Sequence, residues 1–245
     1  MSTLSNCSPT DIRNLIDRIQ SELKGYARLQ VAAQECARLL YEEFSESIVL
    51  ARVFMTLPFS GLTPRGKIFV ADLAGTKDVQ HLLNDKTQVL SLLGTYGVRP
   101  EWRDRFLSRG HLGIPLLSAG FIESIPMVSR LMSDMGINTE WFDATEADVL
   151  VKSLGRAAGV FYVRDARTWL DHRNRKIVSA QDFVEEYGVK TVFGLGGSYL
   201  NGSFVAIIIF TREALEQAQA EAFMALVNNF KATTMRLAMN DEIFP

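Results

Sequence analysis

The sequence has little cysteine, little histidine and no long apolar run, and each shortage removes a class of protein. Two cysteines, Cys7 and Cys36, in 245 residues are too few for a disulfide framework. A chain of this length hides roughly 70–75% of the surface that its unfolded form exposes, so it needs neither disulfides nor a structural metal to hold together. Three histidines, His81, His111 and His172, stand too far apart for the short-range ligand spacings of a zinc site. The longest uninterrupted apolar run, Phe204 to Phe210, has seven residues, against the ~20 of a membrane-spanning helix. Excess charge is also missing. With 26 Lys+Arg against 28 Asp+Glu, the net charge of −2 provides no field to gather phosphate backbones or anionic lipid. Neither nucleic acid nor membrane insertion is expected. Met1 to Asn6 lacks the basic and apolar regions of a secretory signal, which points to a reducing cytoplasm.

What is present is an ordinary globular composition, 47% apolar and 22% charged, without repeat, linker or low-complexity tract. Ile12, Leu15, Ile16, Ile19 and Leu23 recur at helical spacing after Pro9 and Thr10, and Leu29, Ala32, Ala33, Cys36, Leu39, Leu40 and Phe44 form a second periodic stretch. Ser47 to Leu57 reads as a strand, and Lys67 to Ala71 as a shorter one. Thr76 to Ser108 carries a helical pattern broken at Gly94, Gly97 and Pro100, which predicts several short helices. His111 to Leu117 reads as an extended edge, because Pro115 removes a ladder donor, and a helix through Met127 to Met132 ends at Gly136. Trp141 to Asp143 reads as extended, Asp148 to Arg156 as helical, Gly159 to Arg164 as a strand and Ala180 to Tyr187 as a short helix. Val189 to Leu200 and Phe204 to Thr211 form a hairpin through Asn201-Gly202, a pair that tolerates positive φ. A long helix from about Glu213 to Met239 follows, with Phe223, Leu226, Phe230, Thr233 and Leu237 on one stripe.

No local catalytic pattern stands out, and no catalytic residue or metal ligand set is assigned. The glycines of Gly194-Leu195-Gly196-Gly197-Ser198 lie inside a strand rather than between strand and helix, so they mark a bulge or close packing, not a phosphate loop. Adjacent acids such as Glu42/Glu43, Glu185/Glu186 and Asp241/Glu242 point about 100° apart on a helix and do not converge. Glu123 sits in an otherwise apolar stretch and is a candidate for burial or for a helix-end position. Arg164 to Arg167 and His172 to Lys176 are basic clusters, read as exposed loop or as anion site. Cys36 lies on an apolar helix face and Cys7 near the terminus, and neither is placed as a nucleophile.

The run Val189 to Tyr199, the Asn201-Gly202 turn, the strand Phe204 to Phe210 and the Ala-rich closing helix resemble the end of a GAF-like sensor domain. His111 to Leu116 and Phe121 to Val128 resemble an N-terminal sensory module of bacterial signalling proteins, found before PAS or histidine-kinase parts. The likeness covers most of residues 27–239. It implies an α+β fold: a central antiparallel sheet with helices on its faces, N-terminal helices and a long C-terminal helix. Residues 1–26 then form a helical extension and residues 27–245 the sensor domain. It further implies a non-catalytic, ligand-binding role in signal transduction, with a small-molecule effector in a pocket on one side of the sheet. A homodimer through the terminal helices and a histidine kinase or other output acting in trans, the chain stopping at Pro245, complete the expectation. No cofactor is named, and the lack of a cysteine after Cys36 argues against a thioether-linked bilin. The expected pocket residues are Phe54, Phe121, Glu123, Met127, Phe161, Tyr162, Phe193 and Tyr199, and the expected dimer stripe is Phe223, Leu226, Phe230 and Leu237. Two alternatives stay open. One is an enzyme whose site assembles only in three dimensions, through His111, Glu123 and Arg164; the other is a dimeric scaffold without ligand.

Overall fold

A computed structural model describes residues 3–107, 111–143 and 154–245. The strands β1 (Ile48–Pro58), β2 (Gln88–Gly97), β3 (Gly113–Pro115), β4 (Ala158–Val163), β5 (Thr191–Ser198) and β6 (Phe204–Thr211) form one antiparallel sheet in the order β3-β2-β1-β6-β5-β4. Side chains alternate across it as the two-residue period of a strand requires. In β6, Val205, Ile207 and Ile209 enter one core, while Phe204, Ala206, Ile208 and Phe210 enter the other. Register shifts in β1 at Ile48/Leu50 and against β2 at Val53/Phe54 adjust the alternation without breaking the ladder.

The first face is covered by helices α1 (Pro9–Leu23), α2 (Leu29–Glu43) and α8 (Met224–Met239). Helix α1 starts where Ser8 and Asp11 close a capping box around Pro9, and it buries Ile12, Leu15, Ile19 and Leu23. Its buried face belongs to the same core as the sheet, and the Leu4 and Ser5 amides bond Glu213, so residues 3–26 are packed into the body of the molecule. Helix α2 approaches β2 so closely that a Cβ on Gly94 would stand 2.2 Å from the Ala33 carbonyl oxygen. Only glycine opposite alanine permits that distance.

The second face carries shorter pieces: α4 (Ala119–Glu123), α5 (Pro126–Asp134) and α6 (Gln181–Glu186). Helix α3 (Pro64–Gly75) packs beside β3, with Val70 against Gly113. This is an α+β arrangement, a central antiparallel sheet with helices on both faces and a C-terminal helix.

Several local expectations are corrected. Lys67 to Ala71 is helical, inside α3, because Thr63 caps the Gly66 amide and Pro64 starts the turn. The stretch from Thr76 to Ser108 contains β2: Val89, Leu90, Leu92 and Leu93 are buried on both faces of a central strand, and a continuous apolar run does not distinguish helix from strand. Thr139–Phe142 is a single 3-10 turn, and the closing helix is interrupted at Ala222 and Phe223, leaving α7 (Gln217–Glu221) before α8. The helix expected over Asp148 to Arg156 lies largely outside the described residues. The hairpin is as expected, with Gly202 at φ +85° and the Gly202 N–H donating to the Tyr199 carbonyl at 3.1 Å.

Candidate ligand site

Two hollows stand out among the described residues. The larger, about 540 Å³, is an open polar cleft between α5 and the loop at Leu170 to Ile177. Its charged groups already have partners: Arg130 pairs with Asp134 at 2.9 Å and Asp171 with Arg175 at 2.7 Å. The smaller, about 280 Å³, lies between the sheet and the short helices, and its walls are mainly apolar. A cavity of that character is the stronger candidate, because a small ligand is held chiefly by burying its apolar surface.

The floor of this cavity is the sheet itself: Leu50, Arg52 and Phe54 of β1, Leu90 of β2, and Ile208 and Phe210 of β6. The roof comes from Ile125, Met127, Val128 and Leu131 at α5, with Val178 and Phe183 at α6. Trp102, His111 and Ile114 also line it, as do Ser179 and Ala180. At one end Trp102, Phe183 and Phe210 form an aromatic corner, with Trp102 and Phe183 edge to face at 5.4 Å and Phe183 and Phe210 at 5.4 Å. The glycines of β4 and β5 hold the roof in place. A Cβ on Gly159 would stand 2.7 Å from the Asp134 carbonyl, and one on Gly196 would stand 2.6 Å from the Met135 sulfur, so the end of α5 rests directly on these strands. The glycine-rich run thus serves close packing.

Arg52 is the one charged side chain among the described lining residues, histidine aside. It sits in the middle of β1 and lines the cavity, with its Nε sealed from solvent. Burial pushes its pKa down to about 10, which leaves it a cation at neutral pH.

Of the expected pocket residues, Phe54 and Met127 line the cavity. Phe121 and Phe161 are buried in the same core without lining it. Glu123 pairs with Arg173, and its carbonyl accepts from Arg175 Nη2 at 2.6 Å, so it holds a loop instead of facing a ligand. Tyr162, Phe193 and Tyr199 belong to the core on the opposite face. There the Tyr162 hydroxyl donates to the Leu215 carbonyl at 2.6 Å, Phe193 packs on Phe223 at 6.0 Å, and the Tyr199 hydroxyl meets Thr234 Oγ1 at 2.8 Å. One residue shifts in a strand, and its side chain changes face; the composition of these segments does not reveal which face is which.

Phe223, Leu226, Phe230 and Leu237 are all buried in the chain's own core, against the sheet and neighbouring helices, and offer no exposed surface to a second copy. His111, Glu123 and Arg164 do not come together: His111 lines the cavity, Glu123 holds Arg173, and Arg164 pairs with Glu216 at 3.3 Å. Neither cysteine lines the cavity. Burial pushes Cys36 up to about 12 and Cys7 up to about 11, so both are held as thiols. Sequence reasoning missed Arg52 and Trp102. For Arg52 a signal existed, a lone charge within the otherwise apolar run from Ile48 to Met55.

No family model and no curated protein matches the chain. Among solved structures it is similar to a free methionine-R-sulfoxide reductase from Neisseria meningitidis in complex with its substrate, at 9% identity, covering 98% of each chain, with a TM-score of 0.48. It is also similar to the phycocyanobilin-bound GAF domain of a cyanobacterial phytochrome, at 11% identity over 94% of this chain and 96% of that one, with a TM-score of 0.48. A third is a methyl-accepting chemotaxis protein, residues 122 to 287, at 10% identity over 92% of this chain and 99% of that one, with a TM-score of 0.49. At such identities and TM-scores these likenesses carry no argument, and the α+β architecture rests on the sheet order and the two covered faces.

Proposed function

We propose that this chain is a small-molecule-sensing regulatory domain whose ligand occupies the cavity between the sheet and helices α5 and α6. The observation that carries the reading is the cavity itself: about 280 Å³, walled by aliphatic and aromatic side chains, with one buried cation on its floor. Its roof is made of two helices of nine and six residues, joined to the rest by loops, and a shift of these short elements would carry the response. A ligand changes such an equilibrium only by its differential affinity for the two arrangements. An output partner in trans, such as a kinase, would read the roof. Dimerisation through the terminal helices would use the solvent faces of α1 and α8, since the stripe from Phe223 to Leu237 is enclosed.

A thermal-shift screen of the full chain against metabolites tests the reading. A ligand at a hundred times its Kd stabilises by about 2.7 kcal/mol, a rise of roughly 5–10 °C for a chain of this size. Met127→Trp, which fills the roof side of the cavity, is expected to abolish the shift. If no compound stabilises the unaltered chain, or Met127→Trp leaves every shift intact, the reading falls.

A further inference from the structure

Away from the cavity, the exposed apolar side chains are not evenly spread. Seven large ones are exposed among the described residues, and three of them, Ile68, Phe106 and Leu107, gather where α3 meets the loop after β2. Ile68 and Leu107 are 63% and 56% exposed, far more than burial against their own chain would allow. Arg65 ties the two segments together: its Nη2 donates to the Phe106 carbonyl at 2.8 Å, and its guanidinium stacks on the Phe106 ring at 4.9 Å. Ile68 follows one turn along the same face of α3. A contiguous apolar patch with a polar rim marks an interaction surface, which scattered apolar side chains do not.

The rim is cationic. Arg105 stacks on the same Phe106 ring at 4.7 Å and on Phe244 at 4.9 Å, and its Nε donates to the Leu92 carbonyl at 2.8 Å. Eight other arginines among the described residues pair with carboxylates, whereas Arg65 and Arg105 do not. The adjacent Asp104 instead accepts from the Phe106 amide at 2.8 Å. Burial pushes Arg105 down to about 10, while Asp104 raises it and Arg65 lowers it, so the two cations act on one another. Asp72, exposed and one turn beyond Ile68, gives the patch a direction, with its positive end at Arg65.

We infer that this patch docks a protein segment carrying a carboxylate beside an apolar side chain, the carboxylate on Arg65 within the field of Arg105 and the apolar side chain over Ile68 and Leu107. Arg65 commits only Nη2 to its own chain, which leaves Nε and Nη1 to a partner, and the planar fork of arginine suits a carboxylate. An anionic membrane fits less well. Lipid-binding basic segments present about four to eight cations, and here there are two, one of them only 3% exposed. A free small acid fits less well too, because an open surface buries too little of it. The inference is independent of what fills the cavity.

A random peptide library displayed on phage, selected on the immobilised full chain, tests it. The selected peptides are expected to carry Asp or Glu beside Leu, Ile or Phe. The most frequent one is synthesised as selected and with each acidic residue replaced by its amide, and the amide form is expected to bind at least about tenfold more weakly by fluorescence anisotropy. Arg65→Gln and Ile68→Ser are each expected to weaken the acidic peptide by a similar factor with circular dichroism unchanged, since both positions are exposed. Should either variant fail to fold, the other decides. Absence of such sequences, or binding that ignores both variants, overturns the inference. Retention of the chain on vesicles of equal phosphatidylserine and phosphatidylcholine, lost in Arg65→Gln, gives the patch to a membrane and overturns it. A dimer by light scattering that becomes a monomer in Ile68→Ser gives it to a second copy and overturns it as well.

Discussion

The two faces of the sheet are built from the same strands and end in opposite states. Under α1, α2 and α8 the core is closed: helices of 15, 15 and 16 residues lie on it, with Ala32, Ala33 and Ala37 of α2 buried in it and Ala33 brought onto Gly94. Under α4, α5 and α6 the helices have five, nine and six residues, and a cavity remains. At 1.5 Å per residue the longest of these spans about 14 Å, while six strands at about 4.8 Å occupy roughly 24 Å. Short helices cannot roof a sheet of that width without gaps that loops and large side chains must fill. The closed face provides cohesion, and the hollow face leaves a cavity.

That contrast can be broken by mutation. The largest effect is expected from Phe230→Glu on the closed face, where an unpaired charge is buried with no room to escape; loss of the folded state by circular dichroism is the expected outcome. A folded variant that merely changed its oligomeric mass would show that the stripe is not sealed. Next comes Gly94→Ala, which drives a methyl group into the backbone of α2 and is expected to cost about 3 kcal/mol in urea unfolding, an overpacking penalty at the high end because the obstacle is main chain. A paired comparison sharpens the picture further. Leu39→Ala on the closed face is expected to cost about 4 kcal/mol, and Leu131→Ala on the cavity wall nearer 2, since Leu131 already lacks neighbours on one side. Equal costs would mean that the cavity is not empty space in solution.

The smallest effect concerns the N-terminal segment. Burial alone would raise the Glu213 carboxyl, but hydrogen bonds from Ser47, Ser5 and Leu4 outweigh it and hold the pKa below its ordinary value. A carboxyl depressed in the folded state stabilises it above the ordinary carboxylate pKa, and that contribution disappears as pH falls through the depressed value. Acidification below about pH 4 is therefore expected to free the Leu4 and Ser5 amides, which bond Glu213 at 3.1 and 2.9 Å, to hydrogen exchange. Glu213→Gln should reproduce the change at neutral pH with less than about 1 kcal/mol of global destabilisation, because the group is part-exposed and screened. Unchanged protection in both cases would detach Glu213 from the ordering of the terminus.

Legibility in the sequence follows how local the cause is. Helix α1 could be read from Pro9 and its four-residue rhythm, and the β5–β6 hairpin from Asn201-Gly202, because caps and turns are decided within a few residues. Strand β2 could not, since a strand buried on both faces loses its alternation. Of the eight expected pocket residues, Phe54 and Met127 line the cavity, whereas Tyr162, Phe193 and Tyr199 belong to the core on the opposite face. Arg52 was visible as an anomaly without a meaning until the roof stood over it.

By itself the sequence determined the α+β class, the pairing of the last two strands and the apolar faces of the terminal helices, because these depend on spacing along one chain segment. Only the tertiary structure decided which face of the sheet closes and which stays hollow, and that the stripe from Phe223 to Leu237 turns inward. Those outcomes depend on helix length against sheet width and on how close two backbones can approach, both properties of segments far apart in sequence.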